Sequence, residues 1–304
     1  MEMCVTQLKE GSMPTVKLEG VRELDVHKTF DCGQCFRFEK IDNSKHESEY
    51  SGIAFGKHVS FAQDGDNVYV YNSTVDEFEK IWRHYLCLDM DYSHVRESVL
   101  ECGRGTVIEA AAEHGRGIRI LRQDAYEATV SFIISQNNNI PRIKKIIEAL
   151  SKRCGASIDV PCEMRDHTSP SSSLCTFPDA KALVGLGEAG LYELKTGFRA
   201  KYIYDAVSKL VSGELDLDAL AALDNTRACI DALCKVKGIG EKVASCVSLF
   251  GMGRYDAFPV DVWIKRVAEK YFADDEKGFS AERFGRYAGI AQQYLFYYER
   301  YLQN

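Results

Sequence analysis

The sequence predicts an α+β fold in which a small antiparallel sheet precedes a larger helical body. Short alternating runs fill residues 35–72 and are separated by polar or glycine-containing breaks, which is typical of an antiparallel meander. From Val75 onward the apolar period becomes helical, with Phe78, Ile81 and Tyr85 on one face. A chain of 304 residues is long enough for two or three compact subdomains of this kind.

Helical periodicity dominates the second half of the chain. The helices predicted from it lie at residues 124–136, 140–153, 196–211, 225–235, 241–250, 261–272 and 285–302. The stretch at 159–173, rich in Pro, Ser and Thr, is predicted to be a loop rather than a domain linker. We therefore divide the chain into an N-terminal extension or tag (1–12), an antiparallel β subdomain with flanking helices (13–115) and a helical domain (116–304).

Charge is unevenly distributed along this acidic chain. The formal net charge of −7, taken alone, argues against a nucleic acid partner. Residues 42–101 hold 12 acidic and 5 basic side chains, whereas residues 136–154 hold 5 basic and 1 acidic. Residues 195–209 and 226–271 are also net basic. A basic groove on an acidic protein is sufficient to bind phosphates, and we expect such a groove in the second half of the chain.

The sequence has neither a membrane-spanning run nor a secretory leader. No apolar run approaches the roughly 18 residues that a membrane span needs. We therefore expect an intracellular protein, whose eleven cysteines are reduced thiols rather than the disulfide framework of a small secreted scaffold. Cys32 and Cys35 form a CxxC, but no second pair or histidine cluster stands at zinc-like spacing. We expect two packed thiols and no metal site.

A glycine-rich turn joins two predicted helices in the segment LCKVKGIGEKVASCVSLFG, residues 233–251. Gly238 and Gly240 supply the backbone freedom that the turn needs and allow a phosphate to approach the backbone closely. The second helix begins with free amides and a favourable dipole, which together form an anion site. With Ile239 between the glycines, the segment resembles the helix-hairpin-helix motif of sequence-independent DNA binding.

Two residues that follow the turn are candidates for catalysis. Lys242 lies in the first helical turn, where the dipole disfavours an ammonium and so favours a nucleophilic amine. Cys246 follows at i+4 on the same helical face, within reach of Lys242. Asp261, nineteen residues after Lys242, precedes an amphipathic helix, and backbone amides there hold an N-cap carboxylate ionised. Such a carboxylate can stabilise positive charge at the anomeric carbon of a sugar.

The spacing of the GIG turn, the lysine and the aspartate resembles the helix-hairpin-helix DNA glycosylases. Four further segments are similar to the 8-oxoguanine DNA glycosylase/AP lyase family: DCGQCFRF at Asp31, SQNNNIPRI at Ser135, GFRAKYI at Gly197 and YAGIAQQYLF at Tyr287. The resemblance covers residues 30–298, nearly the whole chain. It implies a helical helix-hairpin-helix glycosylase body behind the sheet, and a base excision repair enzyme that flips 8-oxoguanine out of duplex DNA.

The resemblance also implies roles in recognising the lesion. The backbone carbonyl of Gly33 accepts the N7 hydrogen that 8-oxoguanine has and guanine lacks. Gln292 reads the Watson–Crick edge of the flipped base, while Phe296 and Cys246 lie on the two faces of its ring. Gln292 and Phe296 are four residues apart, which places an amide and an aromatic ring on one helical face.

On the opposite side of the duplex, the resemblance implies a wedge and three readers of the orphaned cytosine. The readers are Asn137, Arg142 and Arg199, and Phe198 enters the vacated stack. Two positions depart from the family pattern. Trp263 stands where many relatives carry a histidine thought to approach a phosphate, which puts that contact in doubt. Phe198 replaces a tyrosine common in the eukaryotic branch and lacks its hydroxyl.

The activity implied by the resemblance is bifunctional. Lys242 attacks C1′ and Asp261 assists loss of the base, preferably opposite cytosine, after which the lysine Schiff base allows strand nicking by β-elimination. The implied partner is double-stranded DNA containing an oxidised purine. We expect an intracellular, DNA-associated monomer that uses no metal or organic cofactor, because the sequence offers neither a ligand cluster nor a nucleotide-binding fingerprint.

Three other classes of protein share the hairpin. Relatives of endonuclease III act on oxidised pyrimidines and typically carry four cysteines after this region for an iron–sulfur cluster, whereas no cysteine follows Cys246. Monofunctional alkylpurine glycosylases usually lack the lysine found at position 242. A non-catalytic DNA-binding or scaffold protein needs neither Lys242 with Asp261 nor Gly33 with Gln292. A lesion-containing oligonucleotide assay separates these alternatives.

Overall fold

The chain forms a six-stranded antiparallel sheet followed by a helical body, which confirms the predicted α+β class. The computed structural model describes residues 3–8, 13–170, 172–273 and 279–302. The strands are β1 (Cys4–Leu8), β2 (Thr15–Glu19), β3 (Phe38–Lys40), β4 (Ser48–Ala54), β5 (Lys57–Asp64) and β6 (Asn67–Tyr71). Their order across the sheet is β1-β2-β6-β5-β4-β3. Strands β3 to β6 form the meander that the alternating runs predict.

Strands β1 and β2 were not predicted from the sequence. They pair antiparallel, with Cys4 opposite Glu19, and β2 pairs with β6. Part of the segment assigned to an N-terminal extension or tag, residues 4–8, is therefore an edge strand of the sheet. Residues 9–12, which include the glycine–serine junction, lie outside the described residues.

Fourteen α-helices lie in the described part of the chain. They are α1 (Val26–Asp31), α2 (Val75–Glu77), α3 (Arg83–Tyr85), α4 (Tyr92–Cys102), α5 (Ile108–His114), α6 (Ala125–Ser135), α7 (Ile140–Cys154), α8 (Ala180–Leu191), α9 (Ala200–Ser212), α10 (Leu217–Ala221), α11 (Thr226–Leu233), α12 (Glu241–Met252), α13 (Val262–Tyr271) and α14 (Ala288–Tyr301). A π-helical turn, Phe78–Trp82, joins α2 to α3. None of the described helices is both long enough and apolar enough to cross a bilayer.

Side-chain N-caps explain where most of these helices begin. The caps that accept a backbone N–H are Asp25, Thr74, Asp91, Asp124, Asn139, Asp179, Asp216, Asn225 and Asp261. Each satisfies amides that a helix start otherwise leaves unpaired. Helix α12 begins instead at Gly240, and no side chain covers its first amides.

Two hydrophobic cores hold the fold together. One lies against the sheet, where Phe30 of α1 stacks on Phe61 of β5 with ring centroids 5.3 Å apart. The larger core fills the helical body, where Phe132 of α6 stacks on Phe250 of α12 at 5.3 Å. Phe132 therefore belongs to a rigid scaffold of packed helices.

The stretch predicted to be a loop, residues 159–173, lies over the sheet. It contains a short 3₁₀ helix, Cys162–His167, whose Met164 is buried. His167 Nδ1 lies 2.6 Å from the carboxylate of Glu49, which is almost wholly buried in β4. These contacts fasten the loop to the sheet, so it is not a linker between independent domains.

Candidate active site

A cleft of about 830 Å³ opens in the helical body, beside the loop that follows α1. Five structural units contribute to it: the loop after α1, the turn between α6 and α7, and the starts of α12 and α13 together with α14. Seven of the residues singled out from the sequence as catalytic or lesion-binding, or as opposite-base readers, line this cleft: Gly33, Asn137, Lys242, Cys246, Asp261, Gln292 and Phe296. A volume of this size is within the range of small-molecule sites and can enclose a nucleoside.

Lys242 is the second residue of α12 and is partly buried at the cleft wall. Its Nζ lies 5.8 Å from the centre of the Phe132 ring, in cation–π range. Cys246 lies one turn further along the same helix and lines the same cleft. Burial raises the pKa of this thiol, while the neighbouring Lys242 acts in the opposite direction. Cys246 is therefore a neutral wall of the cleft, and Lys242 is the group free to react.

Asp261 is the N-cap of α13, as the sequence predicts. Its Oδ1 accepts hydrogen bonds from the amides of Trp263 at 3.0 Å and Ile264 at 2.9 Å. Within the described residues, Oδ2 accepts none. The cap thus fixes the carboxylate and leaves one oxygen for the cleft. The two amide donors hold the carboxylate at the positive end of the α13 dipole.

Gly33 adopts a φ of +81°, which an L side chain rarely adopts. A Cβ at this position would lie 3.2 Å from the Ile140 side chain, 3.3 Å from Nη1 of Arg300 and 3.9 Å from the Phe296 ring. The backbone conformation therefore favours glycine here, and a side chain would also crowd Ile140 and Arg300. The backbone itself forms this part of the cleft wall, so its carbonyl can approach a bound base directly.

Gln292 of α14 is 4% exposed, and its Oε1 is buried without a hydrogen-bond partner among the described residues. A buried acceptor left unpaired costs free energy, about 1–3 kcal/mol, so a ligand that donates to it is favoured. Phe296 lies one turn further along the same cleft wall. An amide and an aromatic ring therefore face the same space, suited to the edge and the face of one base.

The hairpin turn between α11 and α12 is built around Gly238 and Ile239. Gly238 has a φ of +83°, and a Cβ there would lie 2.1 Å from the Tyr202 ring, so packing as well as conformation requires glycine. The Ile239 amide donates to the Val236 carbonyl at 3.0 Å, and the Ile239 side chain is buried. The turn therefore leaves the amides of Gly238 and Gly240, and the uncapped first turn of α12, for a phosphate.

Arg199 lies beside the cleft mouth and is 2% exposed. It donates to the Gln136 carbonyl from Nε at 2.8 Å and again from Nη2, to the Asn137 carbonyl at 2.9 Å, and to the Thr196 carbonyl at 3.2 Å. Burial, followed by the charge of Arg142, lowers the pKa of the Arg199 guanidinium. Four of its five N–H groups are thus engaged. In this geometry Arg199 orders the loop that carries Asn137, and at most one N–H is left for a base.

Arg142 and Phe198 are placed differently from Arg199. Arg142 is exposed near the start of α7, and its guanidinium makes no hydrogen bond or ion pair to a described residue. Phe198 is 48% exposed, with its ring 4.5 Å from the Arg199 guanidinium and edge-on to Tyr202. An exposed aromatic ring held by two neighbours is not a core residue, and its free face is available for contact with a ligand.

The CxxC cysteines are buried, as expected for packed thiols. Burial raises the pKa of the Cys32 thiol to about 12, so it is neutral near pH 7. Across the described ranges of the chain, no group of three or more His, Cys, Asp or Glu side chains is arranged to hold a metal ion.

Several residues of the cleft were missed by the sequence analysis. Phe132, Lys265 and Arg300 line it, and so does Trp263, which the sequence analysis names only as a departure from the family pattern. Phe132 precedes the SQNNN segment by three residues and appeared only as part of a buried helix. Its place under the Lys242 amine depends on the packing of α6 against α12, which no local pattern reveals.

Two family models match adjacent parts of the chain. The model for the 8-oxoguanine DNA glycosylase N-terminal domain matches residues 18–129, and the model for HhH-GPD superfamily base excision DNA repair proteins matches residues 130–284. Among curated proteins, the N-glycosylase/DNA lyase OGG1 of Arabidopsis thaliana is 30% identical over 90% of this chain and 77% of its own length. The N-glycosylase/DNA lyase of Saccharomyces cerevisiae is 32% identical over 82% of this chain and 68% of its own length.

The overall structure is also similar to that of a solved relative. The Clostridium acetobutylicum 8-oxoguanine glycosylase/lyase, in complex with double-stranded DNA containing cytosine opposite 8-oxoguanine, superposes with a TM-score of 0.87. The two chains are 36% identical, and the match covers all of both.

Proposed function

The chain belongs to the 8-oxoguanine DNA glycosylase/lyase family of the HhH-GPD superfamily, and from this premise we propose that it flips 8-oxoguanine out of duplex DNA, preferably opposite cytosine, and excises it through Lys242. It is a bifunctional DNA glycosylase/lyase that acts on duplex DNA. We also propose that it acts as a monomer inside the cell.

The unpaired Gln292 amide in the cleft carries this proposal. The Watson–Crick edge of 8-oxoguanine presents the N1 and N2 hydrogens as donors and O6 as an acceptor. Gln292 Oε1 can accept from the base while Nε2 donates to O6, which satisfies the buried oxygen. On the opposite edge, the Gly33 carbonyl meets N7–H of the lesion, whereas N7 of guanine is itself an acceptor.

The chemistry follows from the two groups at the cleft wall. The Lys242 amine forms a bond to C1′ as the glycosidic bond breaks, and the departing base takes the bonding electron pair. Positive charge that develops at C1′ lies near the Asp261 carboxylate, which stabilises it. The sugar ring then opens to an imine. Removal of a C2′ proton expels the 3′ phosphate and nicks the strand.

A single assay tests this function. Wild-type protein should excise 8-oxoguanine from a labelled duplex and nick the strand at the 3′ side, whereas an otherwise identical duplex with guanine stays intact. Product separation with and without alkali distinguishes excision from nicking. Excision without nicking contradicts the lysine mechanism, and equal cleavage of duplexes with oxidised pyrimidines contradicts the purine lesion.

The opposite base is read mainly by Arg142 in this proposal, because the Arg199 donors are largely engaged with loop carbonyls. Cytosine offers O2 and N3 as acceptors, which suit the donor-only guanidinium of an exposed arginine. One good bidentate contact provides roughly 1–3 kcal/mol of discrimination between bases. Asn137, exposed beside the cleft, is positioned to add a further contact.

Arg142→Met should reduce the preference for cytosine over adenine opposite the lesion. The expected loss is about tenfold, measured as the ratio of single-turnover excision rates on the two duplexes. Arg153→Met, near the C-terminus of the same helix α7, is the matched control and should leave the ratio unchanged. Equal slowing opposite all four bases indicates instead that Arg142 binds phosphate or supports the structure.

A further inference from the structure

The segment at residues 31–34 carries the Gly33 carbonyl and is held from both sides by glutamine and tyrosine side chains. We propose that Gln293 is a positioning residue that orients this carbonyl and so sets the discrimination between 8-oxoguanine and guanine. The inference rests on the proposed function, because it concerns recognition of the same base.

Helix α14 fixes the two carbonyls that precede Gly33. Gln293 is 3% exposed, and its Nε2 donates to the Cys32 carbonyl at 3.0 Å in a fully buried hydrogen bond. The Tyr301 hydroxyl lies 2.8 Å from the Asp31 carbonyl and 2.7 Å from the Asp31 carboxylate. Two consecutive peptide planes are thus fastened to one helix.

Gln34, the residue after Gly33, is hydrogen bonded to residues outside α14. Gln34 is fully buried and donates to the carbonyls of Thr29 and Arg119, each at 2.8 Å. Gln123 in turn donates to the Gln34 carbonyl at 2.7 Å. The carbonyls on both sides of Gly33 are therefore occupied, whereas the Gly33 carbonyl accepts no hydrogen bond from any residue that the structure describes. This pattern leaves that one oxygen for a ligand.

Gly33 by itself does not fix the direction in which its carbonyl points. Without a Cβ, Gly33 can rotate about φ and ψ more freely than other residues, and its carbonyl direction depends on the planes at either side. A hydrogen bond from N7–H requires the two atoms to lie about 2.7–3.2 Å apart with good alignment. If Gln293 no longer donates, the buried Cys32 carbonyl lacks a partner and its peptide plane can turn. The acceptor for N7–H then moves out of position.

The position of Gln293 in α14 links the hydrogen bonds that hold the Gly33 segment to the side chains that contact the base. It immediately follows Gln292, and Phe296 lies three residues further on. One helix therefore carries the edge reader and the aromatic face while it also holds the Gly33 segment. Helix α14 therefore fixes the separation between the Gln292 amide and the Gly33 carbonyl, which contact opposite edges of the bound base. This fixed separation allows the site to distinguish a base that has an N7 hydrogen from one that lacks it.

The experiment compares Gln293→Met with its parent in a Lys242→Gln background, so that binding is measured without turnover. Equilibrium dissociation constants are determined for three duplexes that carry 8-oxoguanine, guanine or a tetrahydrofuran abasic analogue opposite cytosine. Gln293→Met keeps the side-chain length and removes the donor. We expect the affinity ratio of 8-oxoguanine to guanine to fall roughly tenfold, the worth of one hydrogen bond. Affinity for the tetrahydrofuran duplex, which has no base to read, should stay unchanged.

Two further variants complete the test. Gln7→Met removes a glutamine of the edge strand β1 that donates to the Thr15 carbonyl at 2.8 Å, and it should leave the ratio unchanged. Tyr301→Phe removes only a hydroxyl and should lower the ratio in the same direction as Gln293→Met, so it also decides the matter if methionine at 293 prevents folding.

The outcomes separate this inference from the proposed function. A parent protein that does not prefer 8-oxoguanine over guanine overturns the proposed function itself. A parent that does, together with an unchanged ratio in Gln293→Met and Tyr301→Phe, overturns the positioning role alone. A parallel loss on the tetrahydrofuran duplex also overturns it, because Gln293 is then a general structural residue.

Discussion

Lys242→Gln is expected to abolish the covalent adduct that borohydride traps between the protein and 8-oxoguanine DNA. The imine can be reduced only if an amine has bonded to C1′, and glutamine has no nucleophilic nitrogen. Glutamine retains most of the length and the polar character of lysine, so lesion binding should persist. Adduct is measured by gel shift after reduction, and binding by titration with the same labelled duplex.

The matched control for this experiment is Lys265→Gln. Lys265 belongs to α13 and lines the same cleft, so it is the competing amine among the described residues. The control should retain the adduct at close to wild-type yield. If Lys242→Gln keeps the full adduct and Lys265→Gln loses it, the nucleophile has been assigned to the wrong helix.

Asp261→Asn is expected to lower the single-turnover rate of base excision by about 10²–10³-fold. The charge that stabilises the developing cation at C1′ is lost, and single electrostatic groups in active sites contribute about this much. Asparagine keeps Oδ1 as an acceptor for the amides of Trp263 and Ile264, and it caps helices as well as aspartate does. The free energy of unfolding should therefore change by less than about 1 kcal/mol, as measured by thermal denaturation.

Asp124→Asn makes the same change at the N-cap of α6, where Asp124 accepts the Glu127 amide at 2.8 Å. It should leave the excision rate near that of the wild type. A fall in stability that parallels the fall in rate for Asp261→Asn contradicts a catalytic charge, since the residue then acts only as a cap.

The parts of the fold that local patterns predict are those with strong periodicity. The meander β3–β6 and the amphipathic helices α7 and α13 carried such a signal. Strand β1 did not, because it is a half-exposed edge strand with no clean alternation in burial. Helix α8 contains glycines at 185, 187 and 190 and breaks its helical geometry at Gly187, so its sequence favours a loop more than a helix.

Some features of the site can likewise be predicted from sequence spacing, whereas others depend on contacts between distant parts of the chain. The N-cap role of Asp261 and the position of Lys242 in a first turn follow from spacing along the chain. The occupied donors of Arg199 do not, because they depend on a loop 62 and 63 residues away in sequence. Gln293 and Cys32 are 261 residues apart, so their contact depends on the tertiary fold.

In the proposed function, insertion of the exposed Phe198 ring gives lesion binding a component that added salt does not weaken. Phosphate contacts gain free energy by releasing counterions and lose it as ionic strength rises. Burying the exposed half of an aromatic ring contributes about 1 kcal/mol to binding. This contribution comes from the hydrophobic effect, which is mainly entropic near 25 °C and gives binding a negative heat-capacity change. Undamaged duplex that keeps its stack closed offers no place for the ring. The enzyme can therefore search DNA through salt-sensitive contacts and commit to a site through one that ionic strength does not affect.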